Sequence, residues 1–302
     1  MADSKVVKTG RQIMLNRMYT VVPTQLTPTQ FSIGQGTTDP VDADTRLEQA
    51  VPISGTESVD DAEVTTGWAD DADITLSVNA VTFKEGSGSL NLTKDGTAGT
   101  TAGTEKTVTS LDFTSKTLSI WLLISDSATL NKLVAIDAIT IRYGSDSSNF
   151  FTYTIDRSEF TAGAFVVFQT FTSSNADSTT GTPILTAMDY FRIDVNTTLA
   201  ADTWSAGDVI FDDIKLISSD DFFKDVEPGF PALDIGLVQA TFEADVNTLE
   251  GNGYLITETG LFNKDSPVIM ESRDTFTFIS KTTDDELIFT FKNRIVAQAS
   301  GD

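Results

Sequence analysis

Neither cysteine nor histidine occurs anywhere in this chain. Without cysteine there is no disulfide framework, no thiolate nucleophile and no cysteine-ligated zinc. Without histidine the commonest general base, the Ser-His-Asp triad and nearly all transition-metal sites are gone. The chemistry left is that of carboxylates and hard cations. Positive charge is scarce as well: 20 Lys and Arg stand against 44 Asp and Glu, a formal net charge of −24. Phosphate recognition needs clustered cations, so the reading is no nucleic acid and no membrane among the partners. Apolar runs are short. None approaches the ~20 residues that span a bilayer, and the opening "MADSKVVKTGRQIMLNRMYTVV" has no continuous apolar stretch of the secretory type. The expectation is a chain that folds in the cytoplasm that made it. Catalysis finds no foothold either. Glycoside hydrolysis needs two carboxylates ~5–9.5 Å apart, and no pair stands out by its spacing. Gly86-Ser87-Gly88 reads as a tight turn rather than a phosphate loop. The chain is read as a non-enzyme.

What is present is a 40% apolar composition with 20 Phe in 302 residues, enough for two packed cores. Runs rich in β-branched and aromatic residues, separated by Gly, Ser, Asn and Asp, predict strands at 73–81, 88–94, 116–125, 138–144, 149–156, 164–172, 189–196 and 208–217. Eight short strands with turn signals indicate a β-sandwich of jelly-roll type. The stretch 95–106, "DGTAGTTAGTEK", reads as a flexible loop or hairpin tip. After Ser218 the charges, Pro228, Gly229 and Pro231 mark a linker. Strands resume at 235–246, 254–263, 274–281 and 286–296. In the last of these, Ile288, Thr290 and Lys292 alternate with Leu287, Phe289 and Phe291, the pattern of a half-buried edge. No long amphipathic helix is expected; "DADTRLEQA" allows one helical turn capped by Asp44 or Thr45.

The two ends read as halves of one domain. Near the start runs "FSIGQGTTDPVDADTRLEQAVPI", from Phe31 to Ile53, and near the end runs "ITETGLF", followed by "SRDTF" and then Lys281-Thr282. In that order, these segments resemble domains of tailed-bacteriophage virion proteins, such as tail-fibre and baseplate-associated parts. The resemblance covers about 100 residues. It implies a structural virion component, assembled in the host cytoplasm, whose partners are other virion proteins and copies of itself, a trimer being one option. Residues 1–20 hold the one basic stretch, with Lys5, Lys8, Arg11 and Arg17, and read either as a first strand or as an arm that docks on an acidic neighbour. Gly260 is expected to allow a bend, with Thr257 and Glu258 suited to a turn.

The middle segment resembles the jelly rolls of carbohydrate-binding modules, through "TTGW" (65–68), "FKEGSGSLNL" (83–92), "TAMDYFRIDV" (186–195) and "VIFDDIKLI" (209–217). The resulting expectation is an all-β protein. A small β-sandwich anchoring domain is formed by residues 1–54 plus 219–302, with a jelly-roll β-sandwich inserted at 55–218. The module resemblance implies a structural Ca²⁺ held by Asp61 and Asp213, with the backbone near Lys84 as a further donor; such an ion takes six to eight oxygens. Trp68, Tyr143, Tyr153 and Trp204 are the candidates for contact with a host-surface glycan, and Trp121 is read as core. The alternative to the virion role is therefore a glycan-binding module for host recognition, and a weaker one a depolymerase subunit.

Overall fold

The computed structural model describes residues 5–6, 27–234, 239–263 and 269–294, apart from positions 42, 54 and 98. The basic stretch of residues 1–20 falls outside the described residues except for its short strand at Lys5–Val6. The chain is all-β and divides into two compact units, one made of Met1–Gly55 with Ser219–Asp302 and the other of Thr56–Ser218. The strands of the first segment are β1 (Lys5–Val6), β2 (Gln30–Gly34) and β3 (Ala50–Val51). The inserted unit holds β4 (Glu57–Asp60), β5 (Trp68–Asp70), β6 (Ile74–Asn79), β7 (Ser89–Lys94), β8 (Thr101–Leu111), β9 (Thr117–Ile124), β10 (Ile139–Asp146), β11 (Asn149–Ile155), β12 (Phe165–Phe171), β13 (Ser178–Thr180), β14 (Met188–Asn196) and β15 (Val209–Ile217). The chain then adds β16 (Lys224–Asp225), β17 (Ala232–Asp234), β18 (Gln239–Val246), β19 (Leu255–Phe262), β20 (Met270–Ser280) and β21 (Leu287–Arg294). The single α-helix of the described residues is the four-residue α1 (Ser127–Leu130), capped by Asp126; no described helix is long and apolar enough to cross a membrane.

The inserted unit is a sandwich of two six-stranded antiparallel sheets. One has the order β13-β11-β10-β14-β8-β5; the other runs β12-β9-β15-β7-β6, with β4 also on β15. Period-2 alternation sends one face of each strand inward. Ile139, Ile141 and Tyr143 of β10 and Phe191, Ile193 and Val195 of β14 meet Leu118, Ile120 and Leu122 of β9 in one contiguous core. The predicted loop at 95–106 is corrected here: its second half belongs to β8, an inner strand between β14 and β5. Its small residues are what the position demands. A side chain at Gly103 would lie 2.2 Å from the Ile193 carbonyl oxygen.

In the unit built from both chain ends, β1-β20-β19-β2-β16 form a sheet with β3 also on β2, and β17-β18-β21 form a second. Phe31, Ile33, Tyr254, Ile256, Leu261 and Phe291 are among its buried apolar side chains. β2 pairs antiparallel with β19, so "FSIG" lies directly against "TETGLF". Glu258 sits inside β19 and is fully buried, against the expectation of a turn. Its Oε1 accepts from the backbone N–H of Gly36 (3.0 Å) and Gln49 (2.9 Å), and its Oε2 from that of Glu48 (3.1 Å). Arg273 of β20 donates Nε to the same Oε2 at 2.8 Å and reaches Asp44 at 3.0 Å and Glu48 at 3.5 Å. Gly34 and Gly36 are needed for this approach: a Cβ on either would meet Glu258 within 2.4–2.6 Å. The helical turn expected in "DADTRLEQA" does not form, because the backbone N–H groups of Glu48 and Gln49 bond to Glu258. Gly260 makes no bend either; it lies within β19, paired with Ser32 and Arg273.

Candidate functional site

On β14, Tyr190, Arg192, Asp194 and Asn196 alternate with the core residues Phe191, Ile193 and Val195, so they face away from the sandwich interior. Register then sets Arg142 of β10 and Glu105 of β8 on either side of Arg192. Two arginines directly opposite each other would repel. Asp194 resolves this from beneath: it is completely buried, and its carboxylate lies 3.2 Å from Arg142 and 2.6 Å from Arg192. The Arg192 fork is fully engaged, with Nε on Asp194 at 2.8 Å, Nη2 on Asp71 at 2.6 Å and Nη1 on Glu105 at 3.2 Å. Burial alone would pull the Arg192 pKa down, but hydrogen bonds to Asp194 and Asp71 hold it above its ordinary value. Tyr190 donates its hydroxyl to Glu105 at 2.9 Å; burial, then Glu105, pushes its pKa to about 12.

Phe150 lies beside this row, 6.1 Å from the Tyr190 ring and 5.4 Å beneath the Arg142 guanidinium. Gly144, opposite Phe150 in the register, makes space for it; a Cβ there would come within 2.5 Å of the phenylalanine side chain. An open depression of about 430 Å³ adjoins Tyr190 and is lined by Glu105, Lys106, Thr107, Ser145 and Asp146. The face thus combines two half-buried cations, the carboxylates of Glu105 and Asp71 and the half-buried ring of Phe150, with Tyr190 itself only 7% exposed. Sequence reasoning missed it. "DYFRIDV" alternates charge with apolar bulk, which was a visible signal, but only the register shows that Arg142 and Glu105 flank Arg192.

The four aromatic candidates lie elsewhere. Tyr143 and Tyr153 are corrected to core: both are 0% exposed, with hydroxyls directed to the carbonyls of Met188 and Thr172, and burial raises both pKa values. Trp204 is also core, its Nε1 donating to the Leu92 carbonyl at 2.6 Å. Trp68 is half-buried, packed edge-on against Phe191 and Phe211, with the Lys106 ammonium 5.5 Å from its ring. None of the four is presented as a platform. Trp121 is buried, as expected.

The calcium pair does not come together as a ligand set. Exposed Asp61 caps its own turn through the Glu63 N–H, and Asp213 is ion-paired to Lys215 at 2.6 Å. Among the described residues no group of three or more acids could hold a metal ion, and Asp61 and Asp213 each bond to another group. Asp213 sits at a bulge in β15 with φ of 44°, which turns it from its neighbour. That neighbour, Asp212, is buried; its Oδ2 accepts from the Lys84 and Glu85 N–H groups at 2.6 and 3.2 Å. Its Oδ1 has no hydrogen-bond partner, and burial pushes its pKa up to about 7.

No protein-family model matches the chain, and no curated protein matches it. Solved structures similar to it include carbohydrate-binding modules. One is the family 11 module from Clostridium thermocellum in complex with a β-1,3-1,4-mixed-linked tetrasaccharide, at 17% identity, TM-score 0.38, over 54% of this chain and 96% of that one. Another is the CBM22-2 xylan-binding domain of Paenibacillus barcinonensis Xyn10C, at 12% identity, TM-score 0.31, over 54% and 98%. An exo-β-agarase matches at 13% identity, TM-score 0.37, over 56% of this chain and 25% of its own.

Proposed function

We propose that the protein is a non-catalytic glycan-binding protein whose inserted sandwich presents the Arg142–Arg192–Glu105 row to sugar. The carrying observation is that this row is held by its own ion pairs beside Tyr190, Phe150 and an open depression. A sugar hydroxyl both donates and accepts, and a face with donors and acceptors already fixed loses little freedom on binding. The half-buried ring of Phe150 offers apolar area to the C–H face of a pyranose. The test is a glycan array probed with the full chain, then with Arg142→Ala and Tyr190→Ala. Binding to a defined glycan class, weakened at least about ten-fold in both variants, supports the reading; a blank array overturns it.

A second reading concerns the unit built from both ends. The two segments whose sequence resembles virion domains pair strand to strand and share the Glu258–Arg273 clamp, so the resemblance falls within one unit; on that resemblance the reading is a tailed-phage structural component that displays the inserted sandwich. Electron microscopy of purified virions labelled with an antibody to this chain tests it, and unlabelled particles overturn it.

A further inference from the structure

β21 ends its three-stranded sheet, and among the described residues no strand lies along its outer side. It is eight residues long, contains no proline, and pairs with β18 without a register shift. Such a regular open edge is a template for another strand unless it is blunted. The apolar surface beside it is not covered either. A groove of about 420 Å³ runs between β20 and β21, lined by Phe276, Ile279, Ile288, Phe289 and Phe291, and Ile288 is 63% exposed.

The charges along this edge say what fits it. Glu286 precedes the strand and Lys292 lies near its end; both are exposed, and neither has an ion-pair partner among the described residues. Antiparallel self-pairing centred on Phe289 places Glu286 opposite the partner's Lys292, twice by symmetry. The same register puts Ile288 opposite the partner's Thr290 on the exposed face. On the other face it sets Leu287 opposite the partner's Phe291 and Phe289 against its own copy. Centring on Thr290 instead sets Glu286 opposite the partner's Arg294, and centring on Ile288 sets Lys292 opposite the partner's Asp284, so it is the exchange of Glu286 with Lys292 that separates these registers.

We propose that β21 is a self-association edge: two copies of this chain join β21 to β21 antiparallel, centred on Phe289, into one six-stranded sheet. The contact is isologous and closes at two copies. Its selectivity comes from the paired Glu286 and Lys292, because a chain with a net charge of −24 otherwise repels its own copies.

Sedimentation equilibrium on the full chain should find a dimer with a dissociation constant on the order of 1–100 µM. Glu286→Lys and Lys292→Glu each set like charges opposite one another at two places and should weaken the dimer on the order of ten-fold. Glu286→Lys lowers the net negative charge, so general repulsion alone predicts tighter association for that variant. The double exchange E286K/K292E should restore the wild-type constant, with circular dichroism confirming that each variant folds. A monomeric wild type, another stoichiometry, single variants as tight as wild type, or a double exchange that fails to rescue would each overturn the proposal.

Discussion

In the unit made from both chain ends, Arg273 and Glu258 lie at the centre of the packing, joining three backbone N–H groups of one chain segment to two strands of another. In the inserted unit, Arg192 and its carboxylates lie on the outward face of a sheet, above a long contiguous apolar core. The same chemistry, a guanidinium ringed by acids, does two jobs. Buried under backbone, it specifies which segments meet. On an outward face it is a surface whose polar groups stand ready. The lesson is that ionic groups at a core bear on whether a unit folds, and ionic groups above a core bear on what it touches.

The largest effect should come from breaking the buried group. Glu258→Ala leaves Arg273 without its closest acceptor and orphans three backbone donors, a loss on the order of 5 kcal/mol. Differential scanning calorimetry should show one transition collapsing while the other stays; loss of both together would break the comparison. A smaller effect belongs to Asp212. Its folded pKa of about 7 lies above the ordinary carboxylate value of 3.8, so between those pH values the folded state holds the extra proton. Stability of the inserted unit should therefore fall as pH rises from 4 to 7, by as much as about 4 kcal/mol. Asp212→Asn, which keeps the acceptor for Lys84 and Glu85, should flatten that profile in denaturant titrations. Tyr190→Phe removes one hydrogen bond to Glu105 and should cost about 1 kcal/mol, seen as a small shift of the inserted unit's transition alone. The smallest effect is expected for calcium. Since Asp61 and Asp213 form no ligand set, millimolar Ca²⁺ should leave the melting temperature where a chelator leaves it; a clear rise would show an ion held by the folded state.

Much of the fold was legible because alternation is a local signal. The expected strands at 88–94, 116–125 and 149–156 match β7, β9 and β11 closely, and the half-buried pattern of Leu287–Phe291 is that of β21. What misled was residue type without context. Thr- and Gly-rich 101–106 reads as loop until a close strand crossing requires small residues. Glu258 reads as turn because a lone carboxylate is costly to bury; its ionic partner Arg273 sits on the next strand and its three backbone donors lie more than two hundred positions away. The site failed for a related reason. Tyrosines and tryptophans were ranked by type, yet Tyr143, Tyr153 and Trp204 fill the core, while the outward row depends on a cross-strand register that no local window contains.

The clamp between Gly36 and Glu258 spans 222 positions of chain, and that spacing sets an order of events on the ribosome. The segment holding Gly36 emerges early and has to wait for β19. The inserted sandwich is complete before then, and its first and last strands pair side by side, with Glu57 opposite Leu216. Once folded, it draws its two ends together and replaces a long floppy tether with a short one, which lowers the entropy lost when the clamp closes. The insert thus acts as an intramolecular splint for the unit whose two segments flank it in sequence. A nascent chain stalled once Ser218 has cleared the ribosome, but before β19 has, should already carry a protease-resistant sandwich, with the early segment still open to cleavage.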